Sequence, residues 1–220
     1  MSKIVCDSRH DPSWFIAERW QHYDGEQRAN YLRILSVGTF YTIHLLNYYR
    51  PIGLFDFTAQ PSRIFHQAVT VLAAAWILMA LAVDMSLRQR FFPRWLPFGT
   101  TACDLLFLTS ILCLGKGQLS PLVIGYVLII IIATLRVSLR LVRATTAGAL
   151  FGYLFVLAVG KWPETFGAVA TGRLPRYSQV MTLLAIAISG IMLGQLIRQV
   201  RHMAETYAAK IKAHAKDPQA

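Results

Sequence analysis

A charge placed inside an apolar run is costly and needs a partner or a purpose. Such positions are where this sequence could do chemistry. Asp104 lies about eight residues into the apolar run Leu96–Leu114, roughly 12 Å along a helix at 1.5 Å per residue. Arg136 closes a second run that begins at Pro121. On antiparallel neighbours the two enter from one side, so a long arginine reaching Asp104 would form an intramembrane ion pair and neutralise both. Asp84, with Arg33 or Arg88, would do the same nearer the surface. The other use of Asp104 is as a proton or cation site, but no second deep carboxylate stands in the apolar runs to continue a path. His44 and His66 fall near one end of two successive runs, and facing imidazoles there could hold a haem or a metal as a cofactor-binding pair. No further pair, thiolate or carboxylate completes that site. The simpler reading bonds His44 to a neighbouring backbone or hydroxyl group and leaves His66 wet at the interface. Cys6, Cys103 and Cys113 are an odd set without CxxC spacing, read as thiols outside any disulfide or metal framework. With no nucleophile beside a base and no complete metal constellation, the expectation is a protein that is not an enzyme.

The elements that must position these residues are membrane helices. At 220 residues, 55% hydrophobic and 15% charged, the chain is too apolar and too lightly charged for an ordinary soluble domain of this length. Six transmembrane helices are expected. They run from about Tyr31 to Tyr49, Ile64 to Leu87, Leu96 to Leu114, through the stretch Leu119–Arg143, then Ala144 to Trp162 and Gln179 to Ile197. The fourth is the most marked. From Pro121 to Leu135 it carries no formal charge, Pro121 suits a first helical turn, and Arg136, Arg140 and Arg143 supply a basic end. Paired tyrosines, Tyr48 and Tyr49, belong to an interfacial belt before Arg50 and Pro51 stop the first helix.

Orientation follows from where lysine and arginine fall. Sixteen of the 22 lie on one side of the expected spans, which assigns both termini to the cytoplasm. Six crossings require the termini to share a side, so the two arguments agree. The formal net charge of +11 is scattered among apolar segments, which points to membrane lipids with anionic headgroups and not to nucleic acid. Residues 1–29 read as a cytoplasmic amphipathic arm whose Trp14, Phe15, Trp20 and Tyr23 anchor at the interface, with a turn at Asp24 and Gly25. Residues 30–200 form the membrane domain. Residues 201–220 form a cytoplasmic helical tail, and over the stretch Arg198 to His214 the apolar positions Val200, Met203, Tyr207 and Ile211 recur at three and four, giving one sticky face. The first 29 residues show no cleavable signal, so the first membrane helix is expected to direct insertion.

Small residues bear on packing. Gly148 and Gly152 form GALFG in the fifth span, and Gly190 and Gly194 form GIMLG in the sixth. This spacing lets helices approach closely. The expected use is the fifth helix against the sixth, with a dimer seam through the sixth as the sharper alternative.

Ser120 and Pro121 at the entry to the fourth span, Tyr126 within it, its close on Leu135 and Arg136, and Gly152 with Tyr153 in the fifth carry a resemblance. With six spans and cytoplasmic ends, residues 30 to 200 are similar to the six-helix membrane input domain found ahead of bacterial histidine kinases and class III nucleotide cyclases. The resemblance implies sensing or relaying across a bacterial cytoplasmic membrane. No kinase, cyclase or phosphate-binding loop is present in the sequence, so the relay is expected to act on a separate cytoplasmic effector. The alternative expectation is an accessory or anchor subunit of a larger respiratory or photosynthetic membrane complex, near a haem or quinone. A small transporter is disfavoured, because the halves show no repeat and no span is broken by Gly and Pro together.

Overall fold

The computed structural model describes residues 12–49, 62–89, 93, 95–115, 117–166 and 174–216. Within them side chains are described from Tyr23 to Ala208. The expected helix stop at Arg50 and Pro51, and the side chains of Trp14, Phe15, Trp20 and Ile211, lie outside this description.

The described residues are all-α. Among them six helices of ten or more residues follow one another: α1 (Pro12–Tyr49), α2 (Arg63–Arg88), α3 (Leu96–Leu114), α4 (Gly125–Thr134), α5 (Leu139–Lys161) and, after the short α6 (Pro163–Phe166), α7 (Arg176–Lys216). Four of them, α2, α3, α5 and α7, are long and apolar enough to cross a membrane, as expected of a membrane protein. Their outward faces carry Leu78, Leu106, Phe151 and Ile191, all more than half exposed. In lipid such faces need no cover.

Two of the expected elements take another form. The arm and first span are one helix: α1 runs unbroken through Asp24 and Gly25, so no turn separates them. The fourth stretch is divided. A 3-10 turn over Pro121–Ile124 leads into the ten-residue α4, which ends at Thr134. The start was legible, since the Ser120 side chain accepts from the Leu122 N–H ahead of Pro121. The end was not. Leu135 and Arg136 donate to carbonyls three residues back, tightening the last turn. Val137 then takes φ 49°, a left-handed conformation that is a genuine outlier for a β-branched residue. Ser138 caps α5 by accepting from the Leu141 N–H. Arg140 and Arg143 therefore open α5 instead of closing α4.

The core gathers around α5, which packs on α3, α4 and α7, while α1 and α2 pair with each other and reach α3 and α4. Leu112, Tyr126, Ile130, Leu141, Val142, Ala149, Tyr153 and Ile186 fill it. The glycines mark the tightest approaches. On Gly148 a Cβ would stand 2.7 Å from Leu105 Cδ1, and on Gly152 2.8 Å from Thr109 Oγ1 and 3.0 Å from Tyr126. The GALFG face thus meets α3 and α4, a correction to the expectation that it meets the last helix. Gly190 closes instead on Thr146 and Gly194 on Leu139, so the GIMLG face packs against α5 within the chain. That burial removes these two glycines from any seam between copies.

Candidate functional site

At one end of the bundle, four ionised side chains are buried together. Glu26, Asn30 and Arg33 sit on α1 at i, i+4 and i+7, which places them on one face. α3 brings Thr100, Thr101 and Asp104, and the turn after α4 brings Arg136. Glu26 is 0% exposed, Arg33 2%, Asp104 3% and Arg136 5%. Two cations balance two anions, which is the condition for holding charges out of water.

The pairing differs from the one expected. Asp104 takes Arg33, not Arg136. The Arg33 Nε donates to both oxygens of Asp104 at 2.8 and 3.0 Å, and its Nη2 to Oδ2 at 2.9 Å. Its Nη1 donates to Asn30 Oδ1 at 2.8 Å, and the Asn30 amide in turn donates to the Ala80 carbonyl of α2. The Trp76 indole Nε1 donates to Asp104 Oδ1 at 2.7 Å. Arg136 instead takes Glu26. Its Nη2 donates to Oε1 at 2.7 Å, and Nε lies 2.7 Å from Oε2 as an ion-pair contact off the hydrogen-bond angle. Nη1 donates to the Pro97 carbonyl and to Thr101 Oγ1, and Nη2 also to Thr100 Oγ1. The physical reason is the continuous α1. It carries Glu26 and Arg33 two turns apart into the bundle, and each residue meets the opposite charge at its own level.

Gly25 makes the meeting possible. A Cβ there would lie 3.0 Å from the Leu135 carbonyl and 3.3 Å from Arg136 Cα, so only glycine lets α1 pass this close to the end of α4. Asp84 pairs with Arg88 one helical turn on, at 2.8 Å. That is one of the two partners expected for it.

At the opposite end of α1, His44 and His66 do come together. Their Nε2 and Nδ1 atoms are 3.1 Å apart, in hydrogen-bond contact, and Tyr48 stacks on the His66 ring at 3.8 Å between centroids. An iron held between opposed imidazoles would keep the two nitrogens about 4 Å apart, twice a metal–nitrogen bond. Rings bonded directly to each other and covered by a tyrosine do not fit a haem in this arrangement. Among the described residues no three histidine, cysteine or acidic side chains group as a metal site. Cys103 and Cys113 are free thiols.

What the buried network can do follows from its bonds. It ties α1, α2, α3 and the α4–α5 turn with directional contacts that apolar packing between membrane helices lacks. Each carboxylate is taken by one guanidinium, Asp104 by Arg33 and Glu26 by Arg136, so each ion pair of the cluster joins one helix or turn to another. Sequence reasoning singled out Asp104 and Arg136 but missed Glu26 and Arg33 as their partners. The signal was present as the i, i+4, i+7 spacing of Glu26, Asn30 and Arg33. It was passed over because Glu26 sits within a polar segment that reads as solvent-facing. Comparison with protein-family models, with curated proteins and with solved structures returned no match.

Proposed function

We propose that this chain is a non-enzymatic membrane protein that scaffolds or regulates a separate effector through its cytoplasmic face and the end of α7. The observation that carries the reading is the length of that helix. Its 41 residues span about 60 Å at 1.5 Å per residue, twice the roughly 30 Å hydrocarbon core. Residues 201–208 are exposed, Met203 and Tyr207 among them, so the helix leaves the bundle and presents side chains beyond it. Arg201 anchors the exit by donating to the Val137 carbonyl. In this reading α1 and the Pro121–Thr134 segment complete six passages, both termini lie in the cytoplasm of a bacterial cell, and the charge network holds α1 rigid against the helices that α7 packs beside. The likeness to the six-helix input domains of histidine kinases and cyclases supports the same relay role.

The test is purification in a mild detergent after brief chemical crosslinking in the membrane, with mass spectrometry of what accompanies the chain. The full chain should carry a reproducible cytoplasmic neighbour, and deletion of residues 202–220 should release it while leaving the bundle folded. A chain that runs alone, or whose neighbours ignore the deletion, refutes the proposal.

A further inference from the structure

At the end of the bundle opposite the charge network, α1 and α2 meet through side chains with ligand chemistry. His44 Nε2 and His66 Nδ1 stand 3.1 Å apart. Two imidazole nitrogens that bind one metal ion as neighbours, each at about 2.0–2.1 Å and with an angle of about 90–110° at the ion, lie about 2.9–3.4 Å from each other. The spacing that excludes an iron between opposed rings is therefore the spacing of adjacent ligands on a single ion. In the hydrogen-bonded pair one ring donates its N–H and the other accepts. When the donor ring carries its proton on the far nitrogen instead, both facing nitrogens present lone pairs and no net proton is lost.

The surroundings hold the two rings in place. Tyr48 lies flat on His66, with 9° between the planes, which covers the face of the imidazole and leaves its in-plane lone pairs clear. Phe65 meets His44 edge-on at 5.8 Å. One turn deeper, the Tyr41 hydroxyl donates to Thr70 Oγ1, and Thr70 donates to the His66 carbonyl, so the helices are pinned at the level of the pair. Ligands fixed by their neighbours on rigid elements need little ordering when an ion arrives. A third donor stands beside them. Asn47 follows His44 by three residues, on the same face of α1, and helix side chains lean toward the N-terminus, which brings its amide back toward His44. The Asn47 Oδ1 is buried without a hydrogen-bond partner among the described residues, an arrangement that costs free energy until a cation or donor fills it.

We infer that His44, His66 and Asn47 form a site for one divalent transition-metal ion of the zinc or copper class, with water in the remaining positions. The donor set selects the class. Imidazole nitrogen suits zinc, copper and nickel, whereas magnesium and calcium take oxygen ligands. Among the described residues no cysteine or acidic side chain joins the pair, so the ligands are neutral. Access is short. His66 stands one turn after the Ser62 cap that opens α2, and Tyr49 and Ile64 at the same helix ends are 67% and 79% exposed, so an ion enters from the end of the bundle without crossing its apolar interior. Bound there, it ties α1 to α2 at one end as the charge network ties them at the other. The site stands whether or not α7 engages an effector.

The test is Zn²⁺ uptake by the full chain, purified in detergent without a histidine tag and followed by equilibrium dialysis and by thermal unfolding. The parent should take up one Zn²⁺ per chain that the double variant His44→Ala with His66→Ala does not, and added Zn²⁺ should raise its melting temperature. His44→Ala, His66→Ala and Asn47→Leu should each weaken binding by about ten-fold or more, whereas His202→Ala, on the exposed part of α7, should leave it unchanged. Mg²⁺ should not raise the melting temperature. Equal uptake by the parent and the double variant, an Asn47→Leu affinity equal to the parent's, or the same response to Mg²⁺ overturns the inference. Far-UV circular dichroism shows that each variant is folded, and a second readout needs no variant at all. Electron paramagnetic resonance of the parent with one equivalent of Cu²⁺ should show coupling to two imidazole nitrogens, and coupling to one or none overturns the inference as well.

Discussion

Asp104→Asn should be among the most damaging single changes in the bundle. The substitution keeps the size of the side chain and one carbonyl oxygen but removes the charge that faces Arg33. The Arg33 side chain is 2% exposed, and three of its four hydrogen bonds end on Asp104. Water cannot reach the guanidinium to replace them. Breaking a buried pair by removing one partner costs about 3–5 kcal/mol, and the Trp76 indole N–H loses a charged acceptor as well. A loss near the upper end is therefore expected. Replacing both partners by apolar side chains of similar bulk, Arg33→Met with Asp104→Leu, removes the orphan charge and should recover all but about 2 kcal/mol, the residue being the unpaired Trp76 and Asn30 groups. The assay is reversible unfolding of the purified protein in mixed micelles with rising SDS, followed by far-UV circular dichroism. If Asp104→Asn lies within about 1 kcal/mol of the parent, or if the double variant is no better than the single one, the guanidinium is not locked as described and the reasoning fails.

Other consequences can be read in the same unfolding assay. Gly25→Val should cost about 1–3 kcal/mol by overpacking α1 against the Leu135 carbonyl, which a Cβ would approach to 3.0 Å. A neutral result would mean that α1 stands off from α4. Gly190→Ala should destabilise by a similar amount, about 1–3 kcal/mol, because the new methyl runs into Thr146, whose Cβ lies 2.8 Å away. Adding Thr146→Ala should restore most of the loss, and failure of that rescue would deny the α5–α7 contact. At Val137, glycine should be more stable than alanine by about 1 kcal/mol, the reverse of the order inside a helix, because only glycine adopts φ 49° without strain. Tyr153→Phe removes a buried hydroxyl that has no hydrogen-bond partner among the described residues. It should be neutral or stabilising by up to about 1 kcal/mol, and a loss above that would reveal a bond the structure does not show.

Much of the architecture was legible because the solvent dictates it. A run such as Leu96–Leu114 must form a helix in lipid, where every backbone group needs an internal partner, and α2, α3, α5 and α7 appear where the apolar runs placed them. Ser120 with Pro121 announced a helix start through local chemistry alone. Arg88 one turn after Asp84 was likewise a local pair that spacing could propose.

Other features depended on which helices stand side by side, and no local pattern contains that. Arg136 could satisfy either carboxylate by charge. The choice of Glu26 came from α1 running straight through Gly25 and from Gly25 admitting the Leu135 carbonyl at close range. Val137 sits in a left-handed turn although valine disfavours it, because the chain must reverse there to bring α5 beside α4 while Arg136 points inward. The two GxxxG pairs look alike in sequence, yet one meets α3 and α4 and the other meets α5. Composition and periodicity decide that apolar helices form and roughly where they end, since those are one-body costs of a residue in its solvent. Which charge meets which, and which glycine meets which helix, are two-body terms that exist only once the helices have packed.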